Sequence, residues 1–478
     1  MGFSTITFLF YFLPLTLAAY FAAPARFRVP VLLAASYVFY AWGSPTGALV
    51  IFLATIMDYL FGIAIHRAGS TRSKKAILAA GIAANIAILF YFKYSNFFVG
   101  EINRALSFCG AGVIPWTAVI FPVGISFVTF HKISYLVDIY YGRAVPGGSF
   151  VSYALYLVMF PKLAQGPIVR YHTMADQLAG PRCTIDDVYQ GSIRFCVGLA
   201  KKVLLADPMG AVANPIFAMD ISNLTVGYAW LGIIAYTMQI YLDFSGYSDM
   251  AIGVGRILGF RIPENFNRPY YSQNFTEHWR RWHITLGAFF REYLYIPLGG
   301  NREGTVKTYR NLWIVFIVTG FWHGANWTYI IWGFYHGFFI FIERLFLVEK
   351  MKKLPVAMKI AIFYFFLCIG FVIFRSETIA GAFRYIHRMF DVSAIGNVYS
   401  PFLPANLIGN REMFVMAICL LICFFPQSIL DRLGSMLNAR VSGKGIDRLR
   451  AAAACLLFAL SLISLINNSF SPFIYFRF

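Results

Sequence analysis

Charge is the scarcest resource in this 478-residue chain: 13% of residues are Asp, Glu, Lys or Arg, against 59% hydrophobic, and mean hydropathy is +0.65. A soluble domain carries about a quarter charged residues, so a water-soluble fold is excluded and an integral membrane protein is expected. Cysteine is sparse and unpaired in pattern. The seven cysteines sit mostly in apolar segments with no C-x-x-C spacing, which argues against a disulfide framework or a zinc site, and no bound metal is expected. No Walker A loop, G-x-S-x-G elbow or H-E-x-x-H pair occurs, which removes the commonest phosphate-loop, serine-hydrolase and metalloprotease chemistries. Gly253-Val254-Gly255 lies inside an apolar run with the third glycine misplaced, so it is no dinucleotide fingerprint. A net charge of +19 would fit a nucleic-acid partner. The basic residues are instead scattered between apolar runs, and positive cytoplasmic loops account for them better; no nucleic acid is expected.

What the chain has in abundance is apolar and aromatic surface, including 50 Phe. Hydrophobic runs fall at about 5–23, 30–44, 47–65, 76–98, 113–139, 151–172, 186–206, 226–259, 311–347, 355–374, 410–428 and 451–467, each near the roughly 20 residues that a bilayer core requires. The expected fold class is therefore all-α: a polytopic membrane protein of about 10–12 transmembrane helices, with re-entrant and interfacial helices. One domain is expected over 1–478, made of N-terminal helices (1–112), a central core (113–347) and C-terminal helices (348–478). Lys and Arg placement puts the N-terminus outside the cytoplasm and the segment 376–410 in an extracytoplasmic loop. The Phe160–Pro167 stretch, with two prolines in an apolar run, should be irregular backbone buried in protein. Asp243, Asp249 and Arg256 interrupt the 226–259 run, and a helix break with internal charge pairing is expected there.

Between Arg261 and Asn311 lie eight basic and four acidic residues together with Trp279, Trp282, Phe289, Phe290 and Tyr293. That mixture predicts amphipathic helices lying at the membrane face, on the cytoplasmic side. Within it Glu277 and Arg281 are spaced to pair on one helix face, and His283 is expected to turn toward protein rather than water.

The strongest candidate for chemistry is His323, within Phe321-Trp322-His323-Gly324-Ala325-Asn326-Trp327 and deep in the almost uncharged 312–342 stretch. Burying an imidazole in hydrocarbon is costly, so such a residue is a functional-site hypothesis by default. The helix is expected to break there, where Gly320 and Gly324 thin the backbone and Asn326 can satisfy freed groups. A histidine can take a proton from a hydroxyl near neutral pH, as acyl transfer to an alcohol requires. His131, Tyr135 and Asp138 share one face of the 113–139 run, as a channel lining or a structural cluster. His336 lies beyond His323 on the same run; His66, His172 and His387 sit near run ends.

In combination these segments resemble the membrane-bound O-acyltransferase (MBOAT) family, in its bacterial alginate and polysaccharide O-acetyltransferase branch. The resemblance is carried in order by Phe121–Phe127, Gln165-Gly166-Pro167-Ile168, Asp243–Met250, Pro263–Asn267, Trp279–His283, Tyr295–Arg302, Phe321–Trp327 and the closing Phe473–Phe476. It implies a ring of tilted helices around a thin centre, His323 as the catalytic histidine and His283 as a second site residue. It also implies acetyl-CoA as the cytoplasmic thioester donor, with no other cofactor, and a bacterial inner-membrane location. The expected partners are an extracytoplasmic acetyltransferase and a polysaccharide acceptor. Asn326, Trp279, Trp322 and Asp243 are further candidates for holding donor or acceptor. Arg280, Arg281 and Arg302 are candidates for donor phosphates, or else simple positive-inside anchors. Alternatives are D-alanyl transfer from a carrier protein to teichoic acid, a transporter gated by broken helices, and a scaffold for a secretion complex.

Overall fold

The computed structural model describes residues 1–146, 149–163, 165–393, 408–426 and 443–467, with Ile429, Arg432, Ser435, Met436 and Phe473. Residues 394–407 of the expected 376–410 loop, and the closing motif beyond Phe473, lie outside the described residues. Among the described residues the regular elements are all helical. Contacts divide the chain into two interleaved units, Met1–Tyr189 with Val254–Pro263 and Ala288–Leu298, and Gln190–Gly253 with Glu264–Gly287 and Gly299–Phe478. This division runs across the three sequential segments expected from sequence rather than along them.

The first unit contains α1 (Leu13–Ala22), α2 (Ala25–Gly43), α3 (Pro45–Arg67), α4 (Thr71–Leu89), α5 (Ser95–Phe108), α6 (Ile125–Tyr140), α7 (Phe150–Val158) and α8 (Tyr171–Ala179). The 113–139 run becomes helical only at Ile125. Pro115 and Pro122 lack the amide hydrogen a helix needs, and Gly124 takes φ 76° immediately before the first turn. α6 packs on α3 and α4. Its His131, Tyr135 and Asp138 are all fully buried. Asp138 accepts from His172 Nδ1 at 2.9 Å and from the Tyr293 hydroxyl at 2.9 Å, while Glu292 takes Arg143 at 2.6 Å and also Arg170. Asp138, His172 and Glu292 converge within 4.8 Å, but the arginines and the tyrosine already serve these carboxylates, which makes the group a charge cluster tying the 288–298 segment to α6 and α8. After α7 the Phe160–Pro167 stretch forms one helical turn, Phe160–Leu163, and Gln165, Gly166 and Pro167 are irregular and buried, as its prolines dictate.

Next come α9 (Ile185–Ala200), α10 (Asp207–Ala218) and α11 (Val226–Ile257). The break expected in the 226–259 run is absent: α11 is continuous over 32 residues. Its charges find partners on another segment instead. Lys202 lies 2.7 Å from Asp243, and Asp249 takes Arg194 at 2.6 Å and Lys201 at 2.7 Å. Gly198 and Gly246 permit this approach, since a β-carbon on either would fall within 2.6–2.7 Å of the other's carbonyl oxygen. With its carboxylates paired across helices, α11 has no need to open.

The remaining elements are α12 (Phe275–Arg281), α13 (Ile284–Phe290), α14 (Thr305–His323), α15 (Trp327–Ile342), α16 (Val356–Arg375), α17 (Ile379–Phe390), α18 (Asn410–Phe424) and α19 (Gly443–Asn467). Among the described residues, five helical stretches are long and apolar enough to cross a membrane, at 45–67, 71–108, 327–351, 356–375 and 443–467, with a shorter apolar helix at 8–22. The aromatics of the 261–311 region do not form a free apolar face. Trp282, Phe289 and Phe290 are buried: Trp282 packs against Tyr241, Phe266 and Phe371, and Phe289 stacks on Phe130 at 4.2 Å. The helices of this region, Phe275–Arg281 and Ile284–Phe290, are seven residues each, too short to cross a membrane, and ring packing holds their aromatic side against the protein.

Candidate active site

α14 and α15 form a helical hairpin whose turn carries the conspicuous histidine. His323 is the last residue of α14, Gly324 is extended, and Asn326 caps α15 by accepting from the Thr328 amide at 3.1 Å. The helix thus breaks where the sequence indicates. The two helices pack at glycine contact, since a β-carbon on Gly320 would sit 2.4 Å from the Tyr329 carbonyl oxygen and one on Gly333 2.4 Å from that of Phe316. Gly333→Ala must therefore push the hairpin apart. We expect a loss of about 1–3 kcal/mol in unfolding free energy together with reduced activity, checked by thermal unfolding and turnover of the same preparation.

His323 is buried, 4% exposed, with its ring among Trp322 at 4.9 Å, Trp332 at 5.0 Å and Phe374 at 5.3 Å between centroids. Trp322 also lies 6.4 Å from the ring of His283, so one indole separates two imidazoles. His283 follows α12 with φ 45°, a left-handed backbone uncommon outside glycine. Its ring is buried beside Phe244 at 4.8 Å, and Nδ1 faces Asn265 Oδ1 at 3.0 Å. Burial pushes this imidazole down to about 3, so the ring is neutral at ordinary pH. Nearby, Trp279 donates from Nε1 to His336 Nδ1 at 3.3 Å.

A cleft of about 340 Å³ lies beside this assembly. Arg194, Lys201, Arg268, Ser245, Ser248 and Asn265 are among its lining residues. Ser245 Oγ, Ser248 Oγ and Asn265 Nδ2 are buried without a hydrogen-bond partner among the described residues. Such groups are costly to leave unmade and favour a ligand rich in acceptor oxygens. A continuous series therefore runs from the cleft through Asn265, His283 and Trp322 to His323.

Of the residues singled out from sequence, the structure assembles His323, His283, Trp322 and Trp279. The others are engaged in separate contacts or exposed. Both amide groups of Asn326 are engaged in the backbone, the second donating to the Glu377 carbonyl at 2.9 Å. Asp243 is held by Lys202 in a buried ion pair. Arg281 pairs with Glu277 at 2.7 Å, as their spacing predicts, while Arg280 and Arg302 are exposed. Sequence reasoning passed over Asn265, Arg194, Lys201 and Arg268. The signal for Asn265 was its place in the Pro263–Asn267 motif; Arg194 and Lys201, seven residues apart, have the spacing of one helix side about two turns on.

A multi-pass helical protein that keeps two imidazoles in its apolar interior, beside a cleft with free donors, is built for group transfer inside a membrane. A model of the MBOAT, membrane-bound O-acyltransferase family matches residues 147–380. Over their full lengths the chain is 39% identical to the "Probable alginate O-acetylase AlgI" of Azotobacter vinelandii. It is 32% identical to the "Peptidoglycan O-acetyltransferase" of Helicobacter pylori, covering all of this chain and 97% of that protein. A "Teichoic acid D-alanyltransferase" of Bacillus subtilis is 29% identical over 53% of this chain and 69% of its own length. The chain belongs to the membrane-bound O-acyltransferase family, and it is an acyltransferase of the O-acetyltransferase kind.

Proposed function

We propose that the protein moves an acetyl group from a cytoplasmic thioester, acetyl-CoA, toward a polysaccharide outside the cytoplasm, working in a bacterial inner membrane with an extracytoplasmic acetyltransferase partner. The observation that carries this reading is the pair of buried imidazoles flanking Trp322. His323 acts as general base. It takes the proton from an acceptor hydroxyl as that oxygen attacks the thioester carbonyl, so that a C–O bond forms and the C–S bond breaks. The proton then passes to the departing thiolate. His283 holds the reacting groups in line, and the buried surroundings exclude competing water.

The cleft is suited to the donor: its lining carries Arg194, Lys201 and Arg268 against Asp249 and Glu264, which pair with the first two, so Arg268 leaves the balance positive on the side on which Asn265 leads to His283. Arg281 is occupied by Glu277. Arg268→Gln is expected to raise KM for acetyl-CoA about tenfold, the order of a lost charge-assisted hydrogen bond, whereas Arg281→Gln should leave it within about twofold, as for an exposed pair. Initial rates across donor concentrations check both.

Purified protein in lipid vesicles, offered acetyl-CoA labelled in the acetyl group or a D-alanyl-charged carrier protein, tests the donor. Thiol release from acetyl-CoA alone supports the proposal; turnover of the charged carrier alone replaces it with D-alanyl transfer. Comparing the acetyl-ester content of surface polysaccharides with and without the protein tests the acceptor, and unchanged content overturns that part.

A further inference from the structure

Asn265 has no acid–base chemistry of its own, yet its geometry commits it to one ring. The side chain is fully buried. Its Oδ1 lies 3.0 Å from His283 Nδ1, 2.9 Å from Thr285 Oγ1 and 3.3 Å from the Thr285 backbone nitrogen. A backbone N–H only donates, so the amide atom facing it is the oxygen, which fixes the orientation of the amide. The ring nitrogen facing that oxygen then carries the hydrogen, and a neutral imidazole is left with its lone pair on Nε2. That Nε2 is buried and has no hydrogen-bond partner among the described residues.

The backbone holds both residues in place. The Asn265 carbonyl accepts from the Ile284 amide at 2.9 Å, and the Arg281 carbonyl accepts from the Asn267 amide at 2.9 Å. The His283 carbonyl in turn accepts from Leu286 and Gly287 at the start of α13. The left-handed φ of His283 is thus over-determined by its neighbours, as strained backbone at working sites commonly is.

We infer that Asn265 is a positioning residue for acyl transfer: it selects the His283 tautomer in which Nε2 is a bare acceptor, and it holds the ring there. This rests on the reading of His283 as part of the transfer site. A bare Nε2 accepts a hydrogen bond from a substrate hydroxyl or amide, whereas the opposite tautomer would present its N–H there and lose that contact. The role parallels that of the outer partners that orient histidine ligands at metal sites.

Acetyl transfer by Asn265→Ala, His283→Ala and the double variant tests this, each variant being checked by thermal unfolding and elution profile in detergent. Each single variant is expected to be slower by about 10- to 100-fold, on the scale of lost orienting partners, and the double variant no slower than His283→Ala. A folded Asn265→Ala at the wild-type rate, or losses that multiply in the double variant, overturns the role of Asn265. Nitrogen-15 spectra of histidine-labelled wild-type protein, with the His283 signals assigned by their absence in His283→Ala, give the tautomer without relying on the folding of any Asn265 variant. A protonated Nδ1 with a bare Nε2 is expected, and a protonated Nε2 overturns the inference. Wild-type transfer by His283→Ala would overturn the placement of His283 itself, a failure distinct from the others.

Discussion

Replacing His323 with alanine is expected to slow acetyl transfer by about 10²- to 10⁴-fold, the usual contribution of a positioned general base. The ring occupies a dry setting of Trp322, Trp332 and Phe374, and among the described residues the neighbouring imidazoles have other duties. His336 accepts from Trp279, and His283 donates to Asn265. Substitution by glutamine preserves much of the volume and some hydrogen bonding but no basicity, so His323→Gln should be as slow as His323→Ala while unfolding near the wild-type temperature. Rates within about tenfold of wild type, a barrier change of only about 1.4 kcal/mol, would move the base elsewhere, and His283 would be the next residue to examine. His336→Gln, by contrast, should reduce stability more than turnover.

The second large effect is on stability. Asp243→Ala leaves the Lys202 ammonium, 2% exposed, without its 2.7 Å counter-ion. Breaking a buried pair from one side costs about 3–5 kcal/mol, and the remaining partner of Lys202, Asp207 at 2.7 Å, should bring the loss toward the lower end. Thermal unfolding in detergent should show a clear drop, and Lys202→Met combined with Asp243→Leu should recover part of it. A stable Asp243→Ala protein that fails to bind donor would instead restore Asp243 to the substrate-holding role that its motif implied.

These two residues also mark what the sequence made legible. A buried histidine between glycines, followed by a capping asparagine, is a local pattern, and local patterns survive into the fold: the break at His323, the cap at Asn326 and the Glu277–Arg281 pair are all present. The face bearing His131, Tyr135 and Asp138 likewise follows from helical period alone. What stayed hidden depends on partners far away in the chain. The acidic residues of α11 looked like a helix break because Lys202, Lys201 and Arg194 lie some forty or more residues upstream. Asn265 is an ordinary turn residue until His283 is seen beside it. Arg281 drew notice as one of two adjacent arginines beside Trp279, but it is already paired with Glu277 and has little left for a ligand.

The ion pairs between α11 and the 190–207 segment bear on how the protein enters its membrane. A helix carrying Asp243 and Asp249 partitions poorly into lipid by itself, and a segment carrying Lys201 and Lys202 does little better. Lys202 is synthesised before Asp243, so the earlier stretch must wait at the insertion machinery, or at the lipid boundary, until its acidic counterpart emerges. The two then enter as a neutral couple, which makes the delay between them a constraint on biogenesis.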